Sequence, residues 1–112
     1  MSFVPALATT LTFLNPIVVD GDTFKHGNDR VRLWGIDAPE MSTPEGIVAK
    51  NELRYMIENK NIMCEQKSVD NYGRIVAQCW TEDEEDLACS MVAMGAAEDW
   101  SYFSHGYYKE CE

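Results

Sequence analysis

From residue 9 the chain runs Thr-Thr-Leu-Thr-Phe-Leu-Asn-Pro-Ile-Val-Val, rich in β-branched and aromatic types. That run predicts a strand over 9–19, bent at Asn15-Pro16 because proline cannot donate to a sheet ladder. The mildly apolar stretch from Phe3 to Leu14 reads as the start of the same strand. Asp20-Gly21 between apolar runs is a hairpin signal, which makes Thr23 to His26 the return strand. Gly27-Asn28-Asp29 marks a second tight turn, and Val31 to Ile36 a third strand, giving a three-stranded meander. The period then changes. Ala49, Leu53, Met56 and Ile57 fall at i, i+4, i+7 and i+8, one face of a helix. Its start is written in Ser42-Thr43-Pro44-Glu45: Ser42 or Thr43 can cap, Pro44 suits the first turn, and Glu45 completes a capping box with Ser42. Asn59 ends it. Ile62 to Gln66 reads as a fourth strand, Asp70 to Gly73 as a turn, and Arg74 to Trp80 as a fifth strand. A second helix starts near Asp86, with Leu87, Met91 and Met94 on one side and Gly95 as breaker. Residues 96–104 read as irregular and aromatic, and a last helix begins near His105, cut short at Glu112.

Five short strands with a helix between the third and fourth predict an α+β, mainly β fold: a five-stranded OB-type barrel with two to three helices, filling one domain over 1–112. Such barrels often bind nucleic acids on one face. At 112 residues the chain can hold one modest core and no second domain. The net charge of −10 argues against a broad basic face, so any contact with phosphates must be local. Five acids lie in one run, Glu82 to Asp86, whose plain reading is a solvated loop. Four cysteines allow three pairings. None forms a CxxC pair of the kind that points to zinc. Cys64 and Cys79 fall on adjacent predicted strands, so a bridge between them is geometrically available; the alternative is two small buried thiols.

Three segments carry candidate chemistry: Asp20-Gly21-Asp22-Thr23, Arg32 to Glu40, and Asp70-Asn71-Tyr72-Gly73-Arg74. The meander lets Asp22 face Arg32 and Asp37. Two carboxylates brought together repel unless a cation sits between them. Ca²⁺ takes six to eight oxygens, so two acids, a main-chain carbonyl and waters would serve. Glu40 follows Ala38-Pro39, which forces extended backbone and delays the helix. A glutamate there can act as base towards a water, or simply favour the helix N-terminus. Arg32 and Arg74 supply guanidiniums that grip phosphate oxygens in pairs, and Gly73 holds Arg74 in a set orientation. His26 and His105 are given no role.

DGDT, RLxxxDxPE and DxYGR, in that order, resemble the hallmarks of the staphylococcal nuclease-like (thermonuclease) family, and the resemblance covers roughly residues 11–108. It implies that Asp22, Asp37 and the main-chain carbonyl of Ala38 bind Ca²⁺. It implies that Arg32 and Arg74 hold the scissile phosphate and that Glu40 orients or deprotonates the attacking water. Tyr72 matches a tyrosine that contacts the nucleotide's phosphate. Trp100, Tyr102 and Phe103 lie near where the family places aromatics beside the base. The implied activity is Ca²⁺-dependent hydrolysis of DNA and RNA, single strands favoured, with little sequence preference and 3′-phosphate products. The sequence carries no transmembrane segment, so no membrane partner is expected, and the expected state is a monomer. The cysteines and the family's habits lean towards a secreted or periplasmic setting, with no leader visible in this numbering. Three features depart from the family pattern: Ala38 where the best-known member has Thr, a last helix that reads as truncated, and the acidic balance. The last two favour the alternative, a catalytically inactive OB-type module that binds oligonucleotides or protein.

Overall fold

The computed structural model of the chain describes residues 10–112. The part of the first-strand reading that falls on residues 3–9 lies outside them. The expected bend is present: β1 (Thr10–Leu14) and β2 (Ile17–Asp20) are separated by Asn15-Pro16. Asn15 adopts a left-handed conformation, φ 51°, which asparagine tolerates better than most residues. The kink is pinned from both sides. The Asn15 N–H donates to the Lys60 carbonyl at 3.2 Å, and the Asn15 side chain accepts the Asn59 N–H at 3.2 Å.

β3 (Thr23–His26), β4 (Asp29–Leu33), β6 (Asn61–Val69) and β7 (Ile75–Thr81) complete one six-stranded sheet in the order β1-β6-β7-β4-β3-β2. Its two edges, β1 and β2, are halves of one bent segment, so chain continuity curls the sheet into an OB-type barrel. β4 and β7 run parallel where the barrel wraps round; the other pairs are antiparallel.

The third strand is not the continuous 31–36 expected. It breaks at Trp34-Gly35 and resumes as β5 (Ile36–Asp37), which pairs with β8 (Glu98–Asp99). Gly35 has φ +83°, and a Cβ there would meet the Tyr108 ring at 2.9 Å. Hydrophobicity runs straight through this break, so the pattern does not mark it.

α1 (Pro44–Ile57) buries the predicted face, Ala49, Leu53, Met56 and Ile57. Thr43 is its N-cap, accepting the Gly46 N–H at 3.1 Å. The expected capping box of Ser42 with Glu45 is therefore not formed, because Glu45 sits one position short of the residue that reaches back to the cap. α2 (Leu87–Ala93) is capped by Asp86. Leu87 and Met91 are buried as expected, but Met94 is the exposed C-cap. Residues 96–104 are more ordered than expected, forming β8 and α3 (Ser101–Ser104). In place of a helix from His105, that residue turns the chain in a left-handed conformation, and a 3-10 turn follows at Lys109–Cys111.

One core joins Phe13, Phe24, Val31, Leu33 and Ile62 of the barrel to Leu53 and Ile57 of α1 and Leu87 and Met91 of α2. Two disulfides staple it. Cys64–Cys79 crosses β6 and β7 between directly paired residues, and Cys89–Cys111 ties α2 to the last turn. Tyr108, fully buried, directs its hydroxyl to Asp86 at 3.3 Å. Burial, with the Asp86 carboxylate beside it, holds that phenol well above its ordinary range.

Candidate active site

Arg32 is the centre of the polar cluster. Val31 and Leu33 on either side point into the core, so Arg32 points out of the barrel. It is nevertheless buried, 9% exposed. Trp100, brought across by the β5–β8 pairing, lies over its guanidinium at 5.4 Å. An arginine on an outer strand face is ordinarily solvated; this one has Trp100 across it and partners packed round its guanidinium. Its Nη1 donates to the carbonyls of Leu33 at 2.8 Å and Ile36 at 2.9 Å, bridging the strand break. Its Nη2 lies 3.5 Å from Asp22 Oδ2 and 3.7 Å from Asp37 Oδ1. These are ion-pair distances, too long for hydrogen bonds.

Asp22 sits in the turn between β2 and β3. A Cβ on neighbouring Gly21 would lie 2.6 Å from that of Ala49 and 2.8 Å from that of Ala38. Only glycine lets the turn press so closely on α1 and the β5 end. Asp22 Oδ2 accepts the Ala38 N–H at 2.9 Å, Oδ1 accepts the Thr23 hydroxyl at 3.2 Å, and its own N–H donates to Asp20 Oδ1 at 3.1 Å. Burial pushes its carboxyl up to about 6; Arg32 opposes this, and Asp20 adds to it.

The donor set fits a hard divalent cation. It is oxygen-only, and Asp22 is a buried carboxylate whose desolvation outweighs the neighbouring guanidinium. Positive charge at that point would relieve it. Among the described residues no three His, Cys, Asp or Glu side chains form a ready-made cage. The remaining ligands would therefore be main-chain oxygens and water, as hard cations accept.

Arg74 is held by the turn before β7. Gly73 takes φ +82°, where other residues are strained. Asp70 Oδ1 accepts the N–H groups of Tyr72 and Arg74, both at 2.9 Å, and Oδ2 accepts Arg74 Nε at 2.6 Å. Burial alone would raise the Asp70 carboxyl, but these Arg74 and Tyr72 donors hold it below the usual range. With Nε engaged by Asp70, the two terminal nitrogens are the ones left for a further partner.

Arg32 and Arg74 line the same groove of about 540 Å³, together with Tyr72, Trp100 and Phe103. Tyr102 is not part of that lining; it is exposed and packs edge-on against Phe103, which takes its place. Glu40 is exposed in the loop before α1. Its main chain is fixed, the carbonyl accepting the Thr43 N–H and hydroxyl at 3.0 and 2.7 Å. The structure thus brings Asp22, Asp37, Ala38 and Arg32 together and sets Arg74, Tyr72 and Trp100 along one groove with Arg32. Asp20 and Asp70, which position Asp22 and Arg74, belong to the motif segments but have no role of their own in the sequence pattern. The turn signals at Asp20-Gly21 and at Asp70 to Gly73 contained them.

The family model for staphylococcal nuclease homologues matches residues 30–111. The chain belongs to the staphylococcal nuclease family. Within it, the thermonuclease of Staphylococcus intermedius is 36% identical over 85 residues, 65% of this chain and 51% of that protein. An uncharacterized endonuclease of Haemophilus influenzae is 33% identical over 93 residues, 79% of this chain and 52% of its own. Protein ParB of Escherichia coli is 33% identical over 101 residues, 80% and 56% respectively. The chain therefore spans about half the length of these relatives. The matched stretch holds Arg32, Asp37, Glu40 and Arg74, and Asp22 precedes it.

Proposed function

We propose that this nuclease-family domain hydrolyses phosphodiester bonds of DNA and RNA, single strands favoured, in a Ca²⁺-dependent reaction that leaves 3′-phosphates. One observation carries the reading. The guanidinium that gathers Asp22 and Asp37 opens onto the same groove as Arg74. A cation site and a phosphate clamp would therefore meet at one phosphorus.

Asp22, Asp37 and the main-chain oxygen of Ala38 would hold the ion. When bound, Ca²⁺ would draw charge from a non-bridging phosphate oxygen. Arg32 and Arg74 grip the phosphate and stabilise the charge that grows on it as phosphorus becomes five-coordinate. Glu40 takes the proton of the attacking water or orients it. The water oxygen bonds to phosphorus, the bond from phosphorus to the 5′-oxygen breaks, and that oxygen takes a proton from solvent water while Glu40 returns its own to solvent. The products are a 3′-phosphate and a 5′-hydroxyl. Tyr72 and Trp100 contact the nucleotide. The folded domain acts as a monomer on this reading, and among the described residues no helix is long and apolar enough to cross a membrane.

The test is hydrolysis of denatured DNA and of RNA, with Ca²⁺ and with a chelator, beside Glu40→Gln. Cleavage that requires Ca²⁺ and falls by about two to four orders of magnitude in the variant is expected. A folded wild-type protein that cleaves neither substrate would overturn the proposal in favour of an inactive binding module.

A further inference from the structure

The groove contains a third cation that the reaction above does not use. Lys67 Nζ lies 5.0 Å from the centre of the Trp34 ring, and both residues line the groove with Arg32 and Arg74. The backbone explains how it gets there. β6 pairs with β7 as Gln66 with Ala77 and Ser68 with Val76, so Lys67 is the unpaired extra residue of a β-bulge. Bulges bend a strand and re-aim side chains, and they recur beside active sites. Among the described residues all three cation–aromatic pairs, Arg32 with Trp100, Arg74 with Tyr72 and Lys67 with Trp34, line this one groove.

We propose that the bulged Lys67, seated on Trp34, forms a separate phosphate subsite for the same nucleic-acid strand. Lys67 contacts a phosphate next to the scissile one, and Trp34, packed between Lys67 and the rings of Tyr107 and Tyr108 at 5.7 and 5.8 Å, holds the ammonium over the groove. The inference rests on the nuclease reading, because it takes the two arginines as already committed to the scissile phosphate. Three cations interleaved with aromatic faces are what a single strand needs. Its phosphates follow the charges, and its unpaired bases stack, each worth about 1–3 kcal/mol. A duplex keeps its bases paired and cannot use the rings. The competing partner of Lys67 is Glu65, whose carboxylate lies 3.3 Å from Nζ in an exposed pair. Such pairs are weak, so a phosphate can displace it.

The experiment is fluorescence anisotropy of 5′-labelled octathymidylate with chelator present, which keeps the strand intact, titrated from about 50 to about 200 mM salt. The proteins are wild type, Lys67→Ala, Lys67→Arg and Lys60→Ala. Lys60 lies on an exposed turn outside the groove, so its variant controls for the loss of one charge anywhere. Removing one phosphate contact lowers the logarithmic salt slope by about 0.7. The fourfold salt rise should then weaken wild type about threefold more than Lys67→Ala. Lys67→Arg should restore the slope, and Lys60→Ala should match wild type. Lys67→Ala indistinguishable from Lys60→Ala, in a wild-type protein that still cleaves, would overturn the subsite and leave the nuclease reading standing. Wild type that neither binds the strand nor cleaves would overturn both.

Discussion

Gly46, in the first turn of α1, sits against the loop that carries Glu40. A Cβ built on it would lie 1.9 Å from the Glu40 carbonyl oxygen, 2.4 Å from the carbonyl carbon and 2.9 Å from the Met41 nitrogen. Ordinary contact begins at 3.4 Å, so in Gly46→Ala the Glu40 peptide must retreat by about 1.5 Å. It cannot do so alone. That carbonyl is bonded to both the N–H and the hydroxyl of Thr43, the residue that caps α1. Alanine in a helix gains about 1 kcal/mol over glycine. Overpacking costs about 1–3 kcal/mol, and a disturbed cap about 1 kcal/mol more. The net expectation is a loss of about 1–3 kcal/mol, small enough to leave the domain folded.

Activity should suffer more. A displacement near 1 Å at a reacting group costs about 10²-fold, so kcat should fall by about two orders of magnitude. KM should move little, because Arg32 and Arg74 are held by other elements. Steady-state hydrolysis of denatured DNA, with a urea unfolding curve, measures both. Val48→Ala, on the exposed face of the same helix, is the control for helix propensity. Full activity in Gly46→Ala would refute the placement of Glu40 in the chemistry. A raised unfolding midpoint would refute the close approach itself.

Two further predictions concern stability. The folded-state value of Asp22 is raised from 3.8 to about 6, so between these values the folded protein holds a proton that the unfolded chain has released. With chelator present, stability should therefore fall as pH rises through that window, by at most about 3 kcal/mol, and Asp22→Asn should flatten the dependence; urea midpoints across the range decide it. Replacing Cys64 and Cys79 together by alanine opens a loop of sequence separation 15 and should cost about 3 kcal/mol, whereas a midpoint shift no larger than that of an exposed double substitution would show that the bridge adds nothing.

Much of this architecture is legible because it is written in local signals. Asn15-Pro16 marks the bend that lets one segment occupy both sheet edges, and Asp20-Gly21 marks the hairpin that carries Asp22. Spacing of Ala49, Leu53, Met56 and Ile57 gives the buried face of α1. The rest depends on long-range pairing that leaves no local trace. Trp34-Gly35 interrupts a strand without interrupting its hydrophobicity, because the cause is Tyr108 packed against Gly35 from the far end of the chain. Arg32 reads as a solvated strand arginine because its cover, Trp100, arrives through the two-residue β5–β8 pairing. Tyr102 and Phe103 are equivalent in sequence, and the turn of α3 alone decides which lines the groove. Lys67 looks like any exposed lysine, since a bulge is a property of two strands in register and not of either one.

The acidic balance also takes on a different meaning once the groove is described. Of the run Glu82 to Asp86, the first four residues are exposed, and Asp86 turns inward to cap α2 and bind Gln78 and Tyr108. None of the run lines the groove, whose charged groups are Arg32, Lys67, Arg74 and Asp70. Each of the three cations already has a carboxylate beside it: Asp22 and Asp37, Glu65, and Asp70. The field they project into solvent is therefore short-ranged, and at physiological salt it is further screened within about 8 Å. A polyanion approaching a protein of net charge −10 gains little from long-range attraction. On the proposed function it gains at contact, where the aromatic faces of Tyr72 and Trp100 would meet unpaired bases. On the proposed function, then, stacking and not charge sets the substrate. The preference for single strands follows from the same arrangement that lets an acidic domain bind a nucleic acid at all.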